Sequence, residues 1–458
     1  MLPNIKANAR NIAVTVGACC TIIACGDSSS GTVARKPDSA HLPPPDPVVK
    51  AKYDGTGPNS TILAQDGYLY GTTITGGDYG YGTVFRISPD GVETVIHSFS
   101  GGTTEGANPV GLIQGSDGNL YGTTQYGGVP ACPRPVPFSM PPPGQNYDYN
   151  GCGTVFKLRL NGELTVLHFF AGGADGREPY TSLVEASPGL FYGETNYGGI
   201  ANSGCTTVGC GLVFAFTPAG NERTVYSFNV ENGDGARPLG LALGKDGNLY
   251  GTAMIGGKSN RGAIFKLTPA GVQTVLHSFV GVAADSAEYP NGPLVQASDG
   301  NFYGTTLYGG FPQSGNLVLC EEGCGTIFKI TPSGDMSILY SFADITYGAL
   351  PTGALIAAGD DTLYGIAAYG GNTGVCQVSG CGTVYKFELS GVVSAVYRFD
   401  EPVTAPAFQP HSPSSLIRSD SGYLYGTAAG GEFGEGIVFK ITPTGDATIL
   451  HSFRGRGS

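Results

Sequence analysis

Apolar residues in this chain fall in short runs separated by glycine, proline, asparagine and aspartate. Residues 240–279 show the pattern clearly: GLALG, NLYGTA, GAIFKLT and TVLHSF, with turn residues between them. Runs this short, rich in β-branched and aromatic residues, predict four consecutive β-strands, here called a, b, c and d. The a-to-b turn carries Asp-Gly at Asp117-Gly118, Asp246-Gly247 and Asp299-Gly300, and the c-to-d turn carries a glycine from Gly91 through Gly445. Both read as hairpin turns whose positive φ suits glycine.

The four-run pattern occurs seven times. A Tyr-Gly pair begins at Tyr70, Tyr121, Tyr192, Tyr250, Tyr303, Tyr364 and Tyr425, and a Gly-Gly pair follows at Gly76, Gly127, Gly198, Gly256, Gly309, Gly370 and Gly430. Strand c then opens with Gly-x-[Val/Ile]-[Phe/Tyr], and the copies end on Phe99, Phe170, Phe228, Phe279, Phe342, Phe399 and Phe453. Strand c is apolar on both faces apart from one basic residue, as in TVFRI and TIFKI. A four-stranded antiparallel sheet with two apolar faces has to lie between two others. Seven such units close most simply into a ring. The predicted fold is all-β: a seven-bladed β-propeller of four-stranded antiparallel blades over residues 48–458. Blade 7 is one residue short between its Tyr-Gly and Gly-Gly pairs. Its own last strand, TILHSF, is expected to complete it, with the segment around Tyr53 pairing beside it or lying loose; a blade shared between the two ends is the alternative.

Composition agrees with a buried core. Gly 75 and Pro 31 are high, but 41% of residues are hydrophobic, with 25 Tyr and 22 Phe, which excludes a disordered tract. The net charge of −12 opposes nucleic acid, whose binding needs a basic, counterion-releasing face. The run Tyr-Gly-Thr-Thr, Gly-Gly, Gly-Thr-Val-Phe and Pro-x-Gly resembles the GloVer tandem repeat of bacterial secreted and surface-anchored proteins, over about residues 58 to 453. The resemblance implies a propeller and brings no activity with it.

Residues 1–24 read as a signal peptide: Lys6 and Arg10 precede the apolar NIAVTVGACCTIIA, which is too short to span a bilayer as a helix. Ile22, Ile23 and Ala24 lead into Cys25, and this resembles a lipoprotein signal in which the Cys25 thiol is acylated and becomes the new N-terminus; the alternative is an ordinary signal peptide. Gly26 rather than aspartate follows Cys25, which implies the outer membrane or cell surface. Residues 25–47 are Pro- and Ser-rich and read as a tether.

Because strands alternate in direction, the b-to-c and d-to-a connections share one face of the ring, where function is expected. The b-to-c loops are short at 78–81, 258–261 and 432–435 and longer at 129–152, 200–210, 311–324 and 372–381. The longer four each hold a cysteine pair: Cys132 and Cys152, Cys205 and Cys210, Cys320 and Cys324, Cys376 and Cys381. Four local disulfides are expected. Zinc is the rival reading, but two thiols with no histidine nearby make a poor site. No metal or cofactor is assigned.

Tyr126, Tyr197, Tyr308 and Tyr369 stand immediately before Gly-Gly in those same four copies. One reading packs each ring on its disulfide loop. The other is a ligand platform, with Asp148, Glu178, Glu288 and Glu322 nearby to hydrogen-bond sugar hydroxyls. Gln114, Glu185, Gln296 and Arg418 occupy equivalent strand a positions that could line the channel, Glu185 and Arg418 alternatively forming an ion pair. His97, His168, His277 and His451 alternate with Tyr226, Tyr340 and Tyr397 at one strand d position, which reads as structural. No catalytic triad, nucleophile elbow or phosphate loop is present. The expected protein is an exported, lipid-anchored monomer that binds a surface protein or polysaccharide, with a propeller glycan hydrolase or lyase as the alternative.

Overall fold

Each copy of the repeat forms one antiparallel sheet in the order a-b-c-d, and there are seven such sheets. The computed structural model describes residues 51–129, 132, 151–199, 205, 208–281, 287–310, 320, 322–342, 346–359, 361–371, 376, 380–399 and 408–455; the signal sequence, Cys25 and the tether lie outside them. Blade 1 comprises Gly55–Leu63, Leu69–Gly76, Thr83–Ile87 and Glu93–Ser98, and blade 7 comprises Phe408–Arg418, Leu424–Gly431, Ile437–Ile441 and Ala447–Ser452. Strands a of neighbouring blades pack against one another, so a is innermost and d outermost.

One aromatic module explains why the repeat is spelled as it is. The strand c ring pairs across from the glycine of Tyr-Gly, as Phe85 does with Gly71 and Phe265 with Gly251. That ring occupies the space a Cβ would need in every blade, so only glycine fits beneath it. The last Phe of each blade then meets the strand c ring of the next blade edge-on. The pairs are Phe99–Phe156, Phe170–Phe214, Phe228–Phe265, Phe279–Phe328, Phe342–Tyr385, Phe399–Phe439 and Phe453–Phe85, with centroids 5.1 to 5.7 Å apart. The last of these joins blade 7 to blade 1 and closes the ring.

The recurring turn aspartate has a matching task. The tyrosine hydroxyl of Tyr-Gly donates to it in Tyr121–Asp117, Tyr250–Asp246 and Tyr303–Asp299, at 2.8 to 2.9 Å. Lys157 and Lys266, the basic residues of strand c, also bond Asp117 and Asp246. Burial works against ionising Asp117, but Lys157, Asn119 and Tyr121 donate to it and hold its pKa down at about 2.

The strand d histidine/tyrosine position is a structural clasp. Its ring stands edge-on to the Phe two residues later in all seven blades, with centroids 4.7 to 5.3 Å apart. Its polar atom reaches a carboxylate where the chain starts the next blade: His97 to Glu105 at 3.4 Å, His168 to Asp175 at 3.0 Å, His451 to Asp54 at 3.3 Å, and the Tyr226 hydroxyl to Asp234.

Closure needs no shared blade. Ala447–Ser452 pairs with Ile437–Ile441 and completes blade 7. Among the described residues, 51–54 ahead of strand a of blade 1 form no strand; instead Asp54 accepts from the backbone N–H groups of Arg454 and Gly455. The residue missing from blade 7 is absorbed in its strand a, which shifts register against strand b three times where blade 1 does so once.

The aromatic module predicts a large cost for removing one ring. Phe279 is fully buried between His277 and Phe328, and Phe279→Ala is expected to destabilise by about 3 to 5 kcal/mol. A urea-unfolding series reads this directly; a loss under about 1 kcal/mol would mean the rings are not what joins the blades.

Candidate ligand-binding face

The long-loop face rests on an inter-blade hydrogen bond that repeats seven times. Near its start each strand a carries a residue in the left-handed region followed by proline: Gly57, Asn108, Glu178, Arg237, Tyr289, Leu350 and Ser412, with φ between 48° and 64°. A residue before proline ordinarily stays extended, and a non-glycine residue here is strained. The strain is offset because its N–H donates, at 2.8 to 2.9 Å, to the carbonyl just before strand c of the preceding blade. The acceptors are Glu435, Tyr81, Cys152, Cys210, Arg261, Cys324 and Cys381 in the same order. The backbone is thus alike around the ring, while the side chains it presents differ completely from blade to blade.

Four of those acceptor carbonyls belong to disulfide cysteines. Cys132–Cys152, Cys205–Cys210, Cys320–Cys324 and Cys376–Cys381 are all bonded, with Cα atoms 4.8 to 5.5 Å apart. Each bridge therefore anchors a longer loop at the point where the next blade docks. The four bridges point to an oxidising compartment and so to an exported protein.

The four tyrosines of the predicted platform are half-buried at the ends of their b strands, but they are not equivalent. Tyr197 lies beneath the Arg237 guanidinium of blade 4, 5.2 Å from its ring centroid. Tyr308 stands edge-on to Tyr289 at 6.0 Å. Tyr289 in turn faces Arg261, whose guanidinium is 5.5 Å from the ring and donates to the hydroxyl at 3.3 Å. Arg261 also bonds Glu288 and lies 3.9 Å from Glu322. Burial raises the Tyr308 hydroxyl above its ordinary value, and Glu322, Tyr369 and Tyr289 push it the same way. Tyr369 packs against the cluster that holds the Cys320–Cys324 bridge, which belongs to the neighbouring blade rather than its own. Residues from blades 4, 5 and 6 therefore meet in one aromatic and charged patch: Arg261, Glu288, Tyr289, Tyr308, Glu322 and Tyr369.

Electrostatics divide the two acids of the patch. Glu288 is 8% exposed at its side chain, and Glu322 is 62% exposed. Burial raises the Glu288 pKa; Arg261 opposes that and Glu322 reinforces it, leaving a net rise.

Elsewhere the predicted set is dispersed. Tyr126 lies in blade 2, away from the patch, and Glu178 is taken up by Arg177 at 2.7 Å in a buried pair. Asp148 is outside the described residues. Glu185 and Arg418 sit at the a-to-b turn end of the blades, opposite the tyrosines, because strand b, Leu190–Tyr197 in blade 3, separates the two faces by on the order of 20 Å. Glu185 accepts from Ser116 N at 2.8 Å and Ser116 Oγ at 2.7 Å, and Arg418 donates to the Ala358 carbonyl at 3.4 Å. Gln114 and Gln296 likewise accept from Gln65 N and Lys245 N. All four clip the a-to-b turn of the preceding blade. They are partnered there, and among the described residues Glu185 and Arg418 form no ion pair with each other. Arg261 and Tyr289, central to the patch, were not singled out from sequence. Both occupy positions where the repeat motif varies, and only the meeting of blades 4 and 5 brings them together.

Comparison with known proteins places the repeat. The family profile described as the Gloeobacter/Verrucomicrobia repeat matches residues 26–133, 143–321, 205–409 and 320–458. Among curated proteins none matches the chain. Solved structures similar to it include the extracellular domain of BT4673 from B. thetaiotaomicron, at 11% identity and TM-score 0.49, covering 88% of this chain and 42% of that one. The chain thus spans about two fifths of that protein's length. Another is the gluconolactonase XC5397 from Xanthomonas campestris, at 15% identity and TM-score 0.34, covering 53% and 69%. A third is a PQQ-bound aldose sugar dehydrogenase from Streptomyces coelicolor, at 12% identity and TM-score 0.40, covering 70% and 91%. Matches this distant carry nothing about ligand or chemistry.

One further acid stands apart from the face. Glu194 replaces, in blade 3, the threonine found as Thr72, Thr123, Thr252, Thr305 and Thr427 in five other blades, and it is 1% exposed. It accepts from Gly240 N at 2.6 Å and Thr181 Oγ1 at 3.3 Å, while its Oε1 has no hydrogen-bond partner among the described residues. Burial, opposed by those two bonds, raises its pKa from 4.5 to about 8. Between those values the folded chain holds a proton that the unfolded chain has lost, so stability falls as pH rises, by about 1.4 kcal/mol per pH unit at most. Glu194→Gln is therefore expected to match the wild type near pH 4.5 and to be the more stable by pH 8. Urea midpoints measured across that range check this; parallel lines for the two proteins would show that Glu194 does not titrate late.

Proposed function

The chain belongs to the Gloeobacter/Verrucomicrobia repeat family, and from that premise we propose that it is an exported, lipid-anchored propeller that binds carbohydrate at the cell surface through its long-loop face. The observation that carries this reading is the patch of Tyr289, Tyr308 and Tyr369 with Arg261, Glu288 and Glu322. Aromatic rings offer flat apolar faces to the C–H side of a sugar, and their hydroxyls offer polar edges. Arg261 and the two carboxylates supply donors and acceptors for sugar hydroxyls at a few set places, as small-ligand sites require. The disulfides and the seven-fold backbone bonding hold these groups without needing the ligand, which lowers the ordering cost of binding.

A glycan hydrolase or lyase is the second reading. Its support is that Glu288 and Glu322, with unlike exposures of 8% and 62%, face one arginine. Acid and base roles need two carboxyls in different environments.

A polysaccharide screen scoring both retention and product release separates the two. Binding is expected without turnover, and Tyr308→Ala and Tyr289→Ala are each expected to weaken it about tenfold, in line with the loss of an interfacial aromatic. Unaltered binding in both variants ends the platform reading. New reducing ends or unsaturated sugars that disappear in Glu288→Gln would establish the enzyme instead.

The anchor rests on Cys25 and the residues before it. Cys25→Ala is expected to move the protein from the membrane fraction to the soluble fraction and to abolish labelling by a fatty-acid probe. Retention of the label in that variant would remove the lipoprotein assignment.

A further inference from the structure

We propose that His168, Asp175 and Glu222 form a binding site for a first-row divalent cation, Zn2+ or Mn2+, in the outer groove between blades 2 and 3. His168 lies on strand d of blade 2, Leu164–Phe169; Asp175 ends the short turn Gly173–Asp175 that leads into blade 3; Glu222 opens strand d of blade 3, Glu222–Ser227. One donor atom from each lies within 4.8 Å of the other two. His168 Nε2 is 3.0 and 3.2 Å from the Asp175 carboxylate oxygens. Metal bonds of 2.0 to 2.1 Å in a tetrahedral site put donor atoms about 3.3 Å apart. The His168–Asp175 pair is already near that spacing, so only Glu222 has to close in.

Comparison among the blades separates this site from the clasp. A histidine or tyrosine meets a carboxylate at several blade junctions, so the clasp forms without a third acid. Beside His97 and Glu105 the position equivalent to Glu222 is Leu164; beside Tyr226 and Asp234 it is Gln273. Beside His451 and Asp54 it is Glu93, yet among the described residues only His168, Asp175 and Glu222 gather this closely. Glu222 is therefore an addition that the clasp does not use. Its Oε1 is out of contact with solvent and has no hydrogen-bond partner among the described residues. A carboxylate oxygen left so is costly, and a cation would satisfy it. Arg223 also acts on Glu222, but its guanidinium is bonded to the Pro269 carbonyl at 3.4 Å.

Supporting contacts and access suit a metal as well. Ala171 N donates to Asp175 Oδ2 at 2.7 Å and fixes that carboxylate, as an outer hydrogen bond does for a ligand. Side-chain exposures of 20% for His168 and 26% for Asp175 leave the cluster open to a hydrated ion. One nitrogen with two carboxylate oxygens favours a borderline cation over Ca2+ or Mg2+, which prefer all-oxygen shells. The eight cysteines outside the N-terminal segment are all bonded and do not compete for it. Three protein ligands leave a position for water. This inference is independent of the carbohydrate reading, whose residues lie on other blades.

The test uses the untagged chain, stripped with chelator and titrated at pH 7.5 with ZnCl2, MnCl2 and CaCl2 by calorimetry. One equivalent of Zn2+ or Mn2+ is expected to bind, with proton release and with a rise in the thermal midpoint that follows metal concentration. Glu222→Gln is expected to fold with the unliganded wild-type midpoint and to bind at least about tenfold more weakly. His168→Gln is expected to do the same, and if it fails to fold, Glu222→Gln decides alone. Absence of Zn2+ and Mn2+ binding by the wild type, or equal binding by Glu222→Gln, overturns the site.

Discussion

Everything in this molecule depends on one stacking arrangement: the last phenylalanine of each blade set edge-on against the strand c ring of the next, with that ring lying over a glycine. The glycine is needed because the ring takes the space of a Cβ. The ring is needed because strand c has an apolar neighbour on both sides and must fill both gaps. Repeated around the circle, with Phe453 meeting Phe85, the contact leaves no blade with an uncovered face. A second contact of the same kind sets the proline of each strand a over the glycine that opens strand c of the preceding blade, as Pro109 lies over Gly82.

These contacts divide the chain into a frame and what the frame displays. Strands b and c carry the same residues almost everywhere because every blade presses on two others. The residue before each strand a proline makes its repeated contact through its backbone N–H, so the side chain varies among Asn, Glu, Arg, Tyr, Leu and Ser. Local strain persists where surrounding structure over-determines it, and here seven inter-blade hydrogen bonds do so. Chemistry accordingly collects at the junctions between blades: Arg261 with Tyr289 on the long-loop face, and His168 with Glu222 in an outer groove.

Much of the fold was legible in the residues alone. Short apolar runs, turn glycines and the seven-fold recurrence announced a four-stranded blade and a ring of seven, and the cysteine pairs lay close enough in sequence for their partners to be assigned. The unmatched residue of blade 7 was visible too, though not its remedy, an irregular strand a. The strand d histidines were read as structural, and their repeated packing on phenylalanine agrees. Less was legible of the site. The eight residues chosen from repeat position, four tyrosines and four on strand a, lie at opposite ends of the blades, and two of the most involved in the patch, Arg261 and Tyr289, fell where the motif has no fixed letter.

What the sequence by itself determined is whatever a single repeat settles within its own span: strand boundaries, hairpin turns, local disulfides and the number of blades. Those follow from short apolar runs set between turn residues and from glycine's backbone freedom, which act over a few residues. Only the tertiary structure decided which side chains of different blades meet, so that Glu222 stands beside His168, and Glu185 clips Ser116 instead of facing Arg418. Such meetings depend on the rotation of one sheet against the next and on the twist from inner to outer strand, and these are set by ring packing across the junction, which no single copy of the repeat contains.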